Sequence, residues 1–123
     1  MKKLKILIVE DDTWQAEQYR RILEKNDFKT DISPHALDAI EKIDDYKPDV
    51  IIMDILLTGS TAFALMNELQ SYGDTSKTPI IICSSIGESL DIDNLKQYGV
   101  RRILDKAVMH PEDLVAAIRS VSE

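Results

Sequence analysis

The sequence feature that most constrains the fold is the apolar run Val50-Ile51-Ile52-Met53, which is followed directly by the carboxylate of Asp54. Four consecutive large apolar side chains predict a short strand that is buried on both faces, as in a parallel sheet. A second apolar run, residues 4–9, is followed by the acidic residues 10–12. Since open α/β sheets bind ligands at the carboxyl ends of their strands, we expect these carboxylates to converge there.

Further strands and helices alternate along the chain. The predicted strands cover residues 4–9, 28–32, 49–53, 80–83 and 101–105. The predicted helices run from 12 or 13 to about 26, from 33–34 through 43, over 62–69, from about 88 to 98, where Gly99 ends the helix, and from 111 to the last residues. Helical spacing predicts an apolar stripe on the first and third helices, and its members are Ala16, Tyr19, Ile22, Leu23, Ala62, Leu65, Met66 and Leu69. Residues 57–61 are a predicted turn, and residues 71–78 are a predicted surface loop. This alternation predicts a single α/β domain over residues 1–123, with a parallel sheet and helices on both faces. The strands at 28–32 and 101–105 are the more polar ones and belong at the edges, which favours the strand order 2-1-3-4-5.

This strand order brings side chains from four strand ends to one point, and they are Glu10, Asp11, Asp54, Ser84 and Lys106. Clustered carboxylates repel one another unless a cation lies between them, and ligand sets made only of oxygen select a hard ion such as Mg²⁺. Asp54 can then act as a nucleophile toward a phosphoryl group. Lys106 supplies a positive charge, and Ser84 a hydroxyl donor, for the phosphoryl oxygens.

Simpler interpretations remain open for each residue taken alone. Acidic residues after a strand commonly cap the next helix, and a single Asp at a strand end is often a turn residue. The convergence at strand ends is what favours a functional site. Cys83 is expected to be a core residue, and Trp14 to lie on the helix surface or in packing.

Several classes of protein are disfavoured. A formal net charge of -7 opposes binding to nucleic acid phosphates. No run of about 20 apolar residues predicts a membrane span, and a single cysteine is compatible with the cytoplasm. The two histidines, His35 and His110, lie far apart without a partner pattern, which disfavours zinc or a catalytic triad. Neither glycine-rich nucleotide-binding motif is present.

The chain resembles the receiver domains of response regulators in two-component signalling, of the CheY-like type. The resemblance spans essentially the whole chain and is carried by residues 6–12, 48–54 and 79–85 and by Lys106. It implies a doubly wound, flavodoxin-like (βα)5 sandwich. It also implies a signalling phosphoacceptor rather than an enzyme, although one that catalyses its own phosphorylation and dephosphorylation.

The resemblance also implies roles for individual residues. Asp54 matches the phosphoacceptor, Ser84 the hydroxyl residue and Lys106 the conserved-type lysine of the family. The implied Mg²⁺ ligands are Asp54, Asp11 directly, Glu10 through water, and the backbone carbonyl of Leu56. The implied partners are a histidine kinase or histidine phosphotransfer protein and a downstream protein target, with small phosphodonors as alternatives to the kinase.

Four positions depart from the family pattern. Thr58 stands where Pro is common, and Ala62 where Gly is common, so the loop after Asp54 is expected to differ in shape. Ala107 follows Lys106 where a cis proline is usual, and a non-proline cis bond costs about 3–4 kcal/mol. The Lys106–Ala107 peptide is therefore either trans or strained. Ile103 replaces the aromatic switch residue of the last strand.

We therefore expect a cytoplasmic receiver, phosphorylated on Asp54 with Mg²⁺, that has an atypical output surface on helix 4, strand 5 and helix 5. It is either a stand-alone domain, which the starting Met1 favours, or a piece of a longer protein, and a monomer or weak dimer. The alternative is a pseudo-receiver that binds proteins without phosphorylation. A phosphatase with an aspartyl nucleophile is less favoured, since no substrate-capping insertion is evident.

Overall fold

Strands and helices alternate along the chain in the computed structural model, which describes residues 3–56, 62–71, 73, 77–86 and 89–122. The strands are β1 (Lys5–Val9), β2 (Lys29–Ser33), β3 (Val50–Met53), β4 (Ile80–Ser84) and β5 (Val100–Asp105). The helices are α1 (Thr13–Lys25), α2 (Ala36–Tyr46), α3 (Ala62–Gln70), α4 (Ile92–Leu95) and α5 (Pro111–Val121). A short 3-10 turn, Lys96–Tyr98, continues α4.

All five strands are parallel and form one sheet in the order β2-β1-β3-β4-β5. The predicted fold class and strand order are confirmed. Neighbouring strands end within two residues of one another, because Val9 pairs with Met53, Met53 with Ile82 and Ser84 with Asp105. Residues that follow neighbouring strands therefore lie side by side at one edge of the sheet, which we call the carboxyl edge.

The central strands are buried because the sheet is covered on both faces. Side chains alternate along a strand, so Ile51 and Met53 pack toward α2, α3 and α4, whereas Val50 and Ile52 pack toward α1 and α5. Burying each such aliphatic side chain contributes about 1.5–3 kcal/mol. Cys83 is buried in the second of these clusters, as predicted.

Two helices begin or extend differently from the prediction. The predicted start of α2 at residues 33–34 is wrong, because Ser33 still pairs with Val9 in the sheet. The helix begins at Ala36, and the ring nitrogen Nδ1 of His35 accepts a hydrogen bond from the N–H of Asp38 at 3.4 Å. A polar side chain that accepts from the first turn is what places a helix start.

The predicted fourth helix, residues 88–98, is too long. The α-helical part is only Ile92–Leu95, because Asp91 caps it by accepting from the N–H of Asp93 at 2.9 Å. Gly99 ends the following 3-10 turn, as predicted, with a left-handed φ of 89°. Glu88 and the predicted turn at 57–61 lie outside the described residues, as do parts of the predicted loop at 71–78.

The remaining surface features agree with the sequence pattern. The predicted core stripe of α3 is buried, and its members are Ala62, Leu65, Met66 and Leu69. Trp14 lies on the surface of α1 with 69% of its area exposed. No helix in the described ranges is both long enough and apolar enough to cross a membrane.

Candidate functional site

The carboxyl edge brings an ammonium group between two carboxylates. Glu10 follows β1, Asp54 follows β3 and Lys106 follows β5. The Nζ atom of Lys106 donates to Oε1 of Glu10 at 2.6 Å and to Oδ2 of Asp54 at 2.7 Å. Lys106 is 96 positions from Glu10 and 52 positions from Asp54 in the chain, so it is the parallel sheet that places the three residues together.

The three charged groups are largely removed from water. Glu10 is 2% exposed, Asp54 8% and the Lys106 side chain 18%. Burial raises the pKa of Glu10 above its ordinary value, although the hydrogen bond and charge of Lys106 act in the opposite direction. Burial by itself would lower the pKa of Lys106, but the hydrogen bonds to Asp54 and Glu10 outweigh it and the pKa is raised. The lysine therefore stays protonated at neutral pH.

Both carboxylate oxygens of Asp54 have a donor. While Oδ2 accepts from Lys106, Oδ1 accepts from the backbone N–H of Leu56 at 3.0 Å. This amide contact was not predicted, because a backbone donor leaves no mark in the side-chain pattern. The available signal was the tendency of Asp to bond the backbone two residues ahead in a turn.

Lys106 is held by a turn that uses the N–H of the next residue. No cis peptide occurs in the described part of the chain, so the Lys106–Ala107 peptide is trans, which resolves the two predicted possibilities. The Oδ1 atom of Asp105 accepts from the N–H of Ala107 at 2.8 Å, and its backbone carbonyl accepts from Val108 and Met109. A proline at 107 would lack this donor.

Ser84 and Asp11 lie at the same edge but contact other groups. Ser84 is fully buried, and its Oγ accepts from the N–H of Ile86 at 3.4 Å. A hydroxyl that accepts one hydrogen bond still has its own proton to donate. The side chain of Asp11 forms a hydrogen bond with Glu10 that favours a higher pKa there. Asp12 caps α1 by accepting from the N–H of Gln15, so the simpler interpretation holds for this residue.

Beneath the site lies a buried hydroxyl that the sequence pattern did not single out. Tyr19 of α1 is 1% exposed, and its hydroxyl lies beside the Cys83 thiol without a well-formed hydrogen bond. Burial raises the pKa of Tyr19, and the charges of Glu10 and Asp54 add to this effect. The helical spacing predicted that Tyr19 faces inward, but not that its hydroxyl lies close to the carboxylates.

The donor set of this edge fits a hard divalent cation. The carboxylates of Glu10 and Asp54 converge on one cationic point, now taken by the Lys106 ammonium, and Asp11 borders it. No three His, Cys, Asp or Glu side chains of the described residues have the spacing of a metal site. Mg²⁺ needs only one or two carboxylates, since water and phosphate oxygens complete its shell.

Comparison with known proteins decides the family. The family model described as the response regulator receiver domain matches residues 6–119. The chain belongs to this family. The resemblance inferred from the sequence motifs is thus confirmed, and this receiver domain is a module of two-component signalling, where receiver domains interact with histidine kinases and downstream targets.

Relatives of this receiver domain differ in length. Protein PilH of Pseudomonas aeruginosa is 30% identical over 117 residues, which cover 95% of this chain and 96% of PilH. The transcriptional regulatory protein CseB of Streptomyces coelicolor is 30% identical over 119 residues, which cover 94% of this chain and 48% of CseB. The chain therefore spans about half of CseB and nearly all of PilH.

Solved structures show the same architecture. A putative response regulator from Chloroflexus aurantiacus is 25% identical, with a TM-score of 0.85 and coverage of 98% of both chains. The chemotaxis response regulator CheY4 of Vibrio cholerae is 21% identical, with a TM-score of 0.86 and coverage of 98% of this chain and 99% of that one. This second likeness supports the fold alone.

Proposed function

We propose that this receiver domain accepts a phosphoryl group on Asp54 and passes the change to a protein partner. The observation that carries the proposal is the contact of the Lys106 ammonium with both Glu10 and Asp54 in a nearly buried site. A buried carboxylate beside a fixed cation and a second acidic group has the charge arrangement that phosphoryl transfer needs.

In the proposed reaction, a carboxylate oxygen of Asp54 attacks the phosphorus of the donor. An Asp54–phosphorus bond forms, and the bond from phosphorus to the donor breaks with its electron pair leaving on the donor. Lys106 and Ser84 each donate a hydrogen bond to a phosphoryl oxygen. Self-dephosphorylation reverses the state, because water attacks phosphorus and the Asp54 carboxylate leaves.

The proposed Mg²⁺ ligands are Asp54, Asp11, Glu10 through water, and the backbone carbonyl of Leu56. When bound, the ion supplies positive charge that neutralises the phosphoryl oxygens and helps to align the donor. The bond from the Leu56 N–H to Asp54 fixes one oxygen of the nucleophile. Lys106 would donate to a phosphoryl oxygen from its place beside Asp54.

Exposed apolar side chains surround the site and support docking of a phosphodonor protein. They follow four different strands at the carboxyl edge, and they are Trp14, Leu56, Ile86 and Val108. Apolar groups that rim a polar pocket are typical of a protein contact surface. We propose a histidine kinase or a histidine phosphotransfer protein as the donor, met in the cytoplasm by a monomer or weak dimer.

The proposed output surface comprises α4, β5 and α5, and it operates without the usual aromatic switch. Ile103 is partly buried and packs against the cluster that contains α3 and α4 residues. An aliphatic side chain in this position has no ring to swing inward when Ser84 moves toward a phosphoryl group. The readout is therefore expected to involve shifts of α4 against β5.

The test is the intact mass of the protein after incubation with acetyl phosphate and Mg²⁺. We expect one added phosphoryl group on the wild type, none on Asp54→Asn, and none when EDTA removes the ion. An adduct of equal amount on Asp54→Asn would overturn the assignment of Asp54. Lys96→Met, at an exposed lysine that precedes β5 rather than following it, serves as the variant that should react like the wild type.

A pseudo-receiver is the second candidate, and one observation favours it. The Lys106 ammonium already lies between the two carboxylates and pairs with both, and the described residues contain no ready three-ligand metal site. Such a domain would bind its partners constitutively, without phosphorylation, and would gain no mass with acetyl phosphate. Failure of beryllofluoride to bind in the presence of Mg²⁺ would favour this candidate over the phosphoacceptor.

A further inference from the structure

The proposed chemistry of the carboxyl edge leaves one buried polar group unused, the hydroxyl of Tyr19. This residue is 1% exposed and packs in the core cluster that α1 and α5 cover. Its hydroxyl has no well-formed hydrogen bond with the part of the chain that the structure describes, and its polar neighbour, the Cys83 thiol, is a weak acceptor. A phenylalanine would bury the same ring without an unsatisfied hydroxyl. Such a group in a native fold calls for an explanation.

The sheet register places Cys83 in one row with the two carboxylates of the site. The strands β1, β3 and β4 are paired so that Glu10, Asp54 and Cys83 come at the same level of the sheet. Side chains alternate along a strand, so Glu10 and Asp54 face the same side as Ile8 and Ile52, which belong to the cluster under α1 and α5. Cys83 belongs to this cluster as well. A side chain of α1 that lies beside Cys83 is therefore close to the row that carries both carboxylates.

The charges of both carboxylates reach the Tyr19 hydroxyl. Burial is the largest cause of the raised pKa of Tyr19, and the contacts with Cys83 and the charges of Glu10 and Asp54 add to it. The hydroxyl therefore keeps its proton at neutral pH. A neutral hydroxyl can turn this proton toward a carboxylate by rotation alone. Tyr19 is thus placed as an available hydrogen-bond donor for the carboxylates rather than as an acid.

Loading of the site changes which donor is available to Glu10. In the structure, Oε1 of Glu10 accepts from the Lys106 ammonium at 2.6 Å, whereas Oε2 accepts a longer bond from the N–H of Asp12 at 3.4 Å. In the proposed function the ammonium cannot share the point between Glu10 and Asp54 with a Mg²⁺ ion, because like charges repel. Phosphoryl oxygens on Asp54 also give the ammonium new acceptors. Loading therefore draws Lys106 away from Glu10, a carboxylate that is only 2% exposed.

We propose that the Tyr19 hydroxyl takes the place of Lys106 on Glu10 when Mg²⁺ and a phosphoryl group load the site. In the unloaded state Glu10 has the ammonium and the hydroxyl has no well-formed partner. In the loaded state the ammonium donates to a phosphoryl oxygen and the hydroxyl donates to Glu10. Tyr19 is then a positioning residue that keeps the Glu10 carboxylate in place. This inference rests on the proposed function and adds a group on α1 that favours the loaded state over the unloaded one.

The test compares loading of the wild type with loading of Tyr19→Phe, and the probe is beryllofluoride with Mg²⁺. Binding is measured from the rise of the thermal unfolding midpoint with beryllofluoride concentration. We expect Tyr19→Phe to be more stable than the wild type without the probe and yet to bind beryllofluoride roughly tenfold more weakly, which is about 1.4 kcal/mol. A merely structural role of the hydroxyl would not change these two quantities in opposite directions.

Tyr46→Phe is the matched control. The Tyr46 hydroxyl is also buried without a well-formed partner among the described residues, but Tyr46 contacts Lys5 at the start of β1, at the opposite edge of the sheet. Its removal should raise the stability of the unloaded domain in the same way. Because no carboxylate of the site is near, the affinity for beryllofluoride should stay at the wild-type value.

Carbon-13 NMR of protein labelled at the tyrosine Cζ atoms observes the hydroxyl itself. The Tyr19 resonance is identified by its absence from Tyr19→Phe. We expect it to move when beryllofluoride and Mg²⁺ are added together, since the oxygen bound to this carbon gains a charged partner. The same movement is expected in Cys83→Ala, because the new partner is Glu10 and not the thiol.

Several results would overturn the inference. Equal affinity for beryllofluoride in the wild type and Tyr19→Phe, or an equal loss in Tyr19→Phe and Tyr46→Phe, would remove the special role of Tyr19 while leaving the proposed function intact. A lower stability of unloaded Tyr19→Phe would show that the hydroxyl already has a partner. Loss of the NMR movement in Cys83→Ala would assign the bond to the thiol. If the wild type itself binds no beryllofluoride, the proposed function fails and this inference fails with it.

Discussion

Asp105 accepts a hydrogen bond from the backbone N–H of Ala107, with 2.8 Å between Oδ1 and N. This bond closes the turn that carries Lys106, and the turn is trans throughout. A proline at position 107 would have no N–H and could not form the bond. In this chain the Asp105 carboxylate closes the turn instead.

Asp105→Ala should lower the rate of phosphorylation by acetyl phosphate, because the Lys106 turn loses its side-chain acceptor. We expect the free energy of unfolding to fall by about 0.5–2 kcal/mol, as for loss of a capping side chain. Asp105→Asn keeps an acceptor oxygen and should retain most of both properties. Urea unfolding and the time course of the intact mass measure the two effects. Wild-type values for the alanine variant would show that the turn does not position Lys106.

The sequence pattern predicted the sheet because the strands and their order are visible in the periodicity and polarity of the residues. Runs of buried aliphatic residues mark β1, β3 and β4, and the polar strands β2 and β5 are at the edges, as predicted. The helix α4 was less predictable, since its four α-helical residues are too few to show a periodic stripe. Its bounds depend instead on the cap by Asp91 and on Gly99.

The candidate site was predictable in position but not in contacts. Strand ends place Glu10, Asp54 and Lys106 at one edge, and the sheet order then brings them together. The spacing of residues in the sequence does not show which side chains a lysine contacts. The position of the Lys106 ammonium between two carboxylates could therefore be seen only in the structure. The same is true of the Leu56 amide and of the trans turn after Lys106.

Lys106→Met should destabilise the domain, because Glu10 and Asp54 lose their shared cation. The cost of an unsatisfied buried group is about 1–3 kcal/mol, and the partial exposure of Lys106 favours the lower end. Mg²⁺ should restore more stability to this variant than it adds to the wild type, since the ion no longer competes with the ammonium. Thermal unfolding with Mg²⁺ and with EDTA measures both effects.

Lys96→Met is the matched control for that experiment. Lys96 and its partner Asp93 are 65% and 78% exposed, and such pairs contribute about 0–1 kcal/mol. Its unfolding should respond to Mg²⁺ like that of the wild type. If Mg²⁺ stabilises Lys106→Met no more than Lys96→Met, the carboxylates around Lys106 do not hold the ion.

Tyr19→Phe should raise the free energy of unfolding by about 1 kcal/mol, because it removes a buried hydroxyl that lacks a well-formed partner. The aromatic ring and its packing remain. Tyr98→Phe is the control, because Tyr98 is only half-buried. The free energy of unfolding of this variant should stay within about 0.5 kcal/mol of the wild-type value. A loss of stability in Tyr19→Phe would show that the hydroxyl has a partner, with the Cys83 thiol as the nearest one.

Alkaline pH should destabilise the domain through Cys83. Burial raises the pKa of this thiol from about 9 to about 12. Between these values the unfolded chain releases the proton that the folded chain keeps, so the free energy of unfolding decreases by up to about 1.4 kcal/mol per pH unit. The contribution of the protonated Cys83 thiol to the free energy of unfolding is fully present below pH 9 and is lost as pH rises toward 12. Cys83→Ala should lower stability at neutral pH, through the lost packing, but should flatten this slope. Urea unfolding at successive pH values measures it, and an equal slope in wild type and Cys83→Ala would assign the alkaline effect to other groups, Tyr19 first.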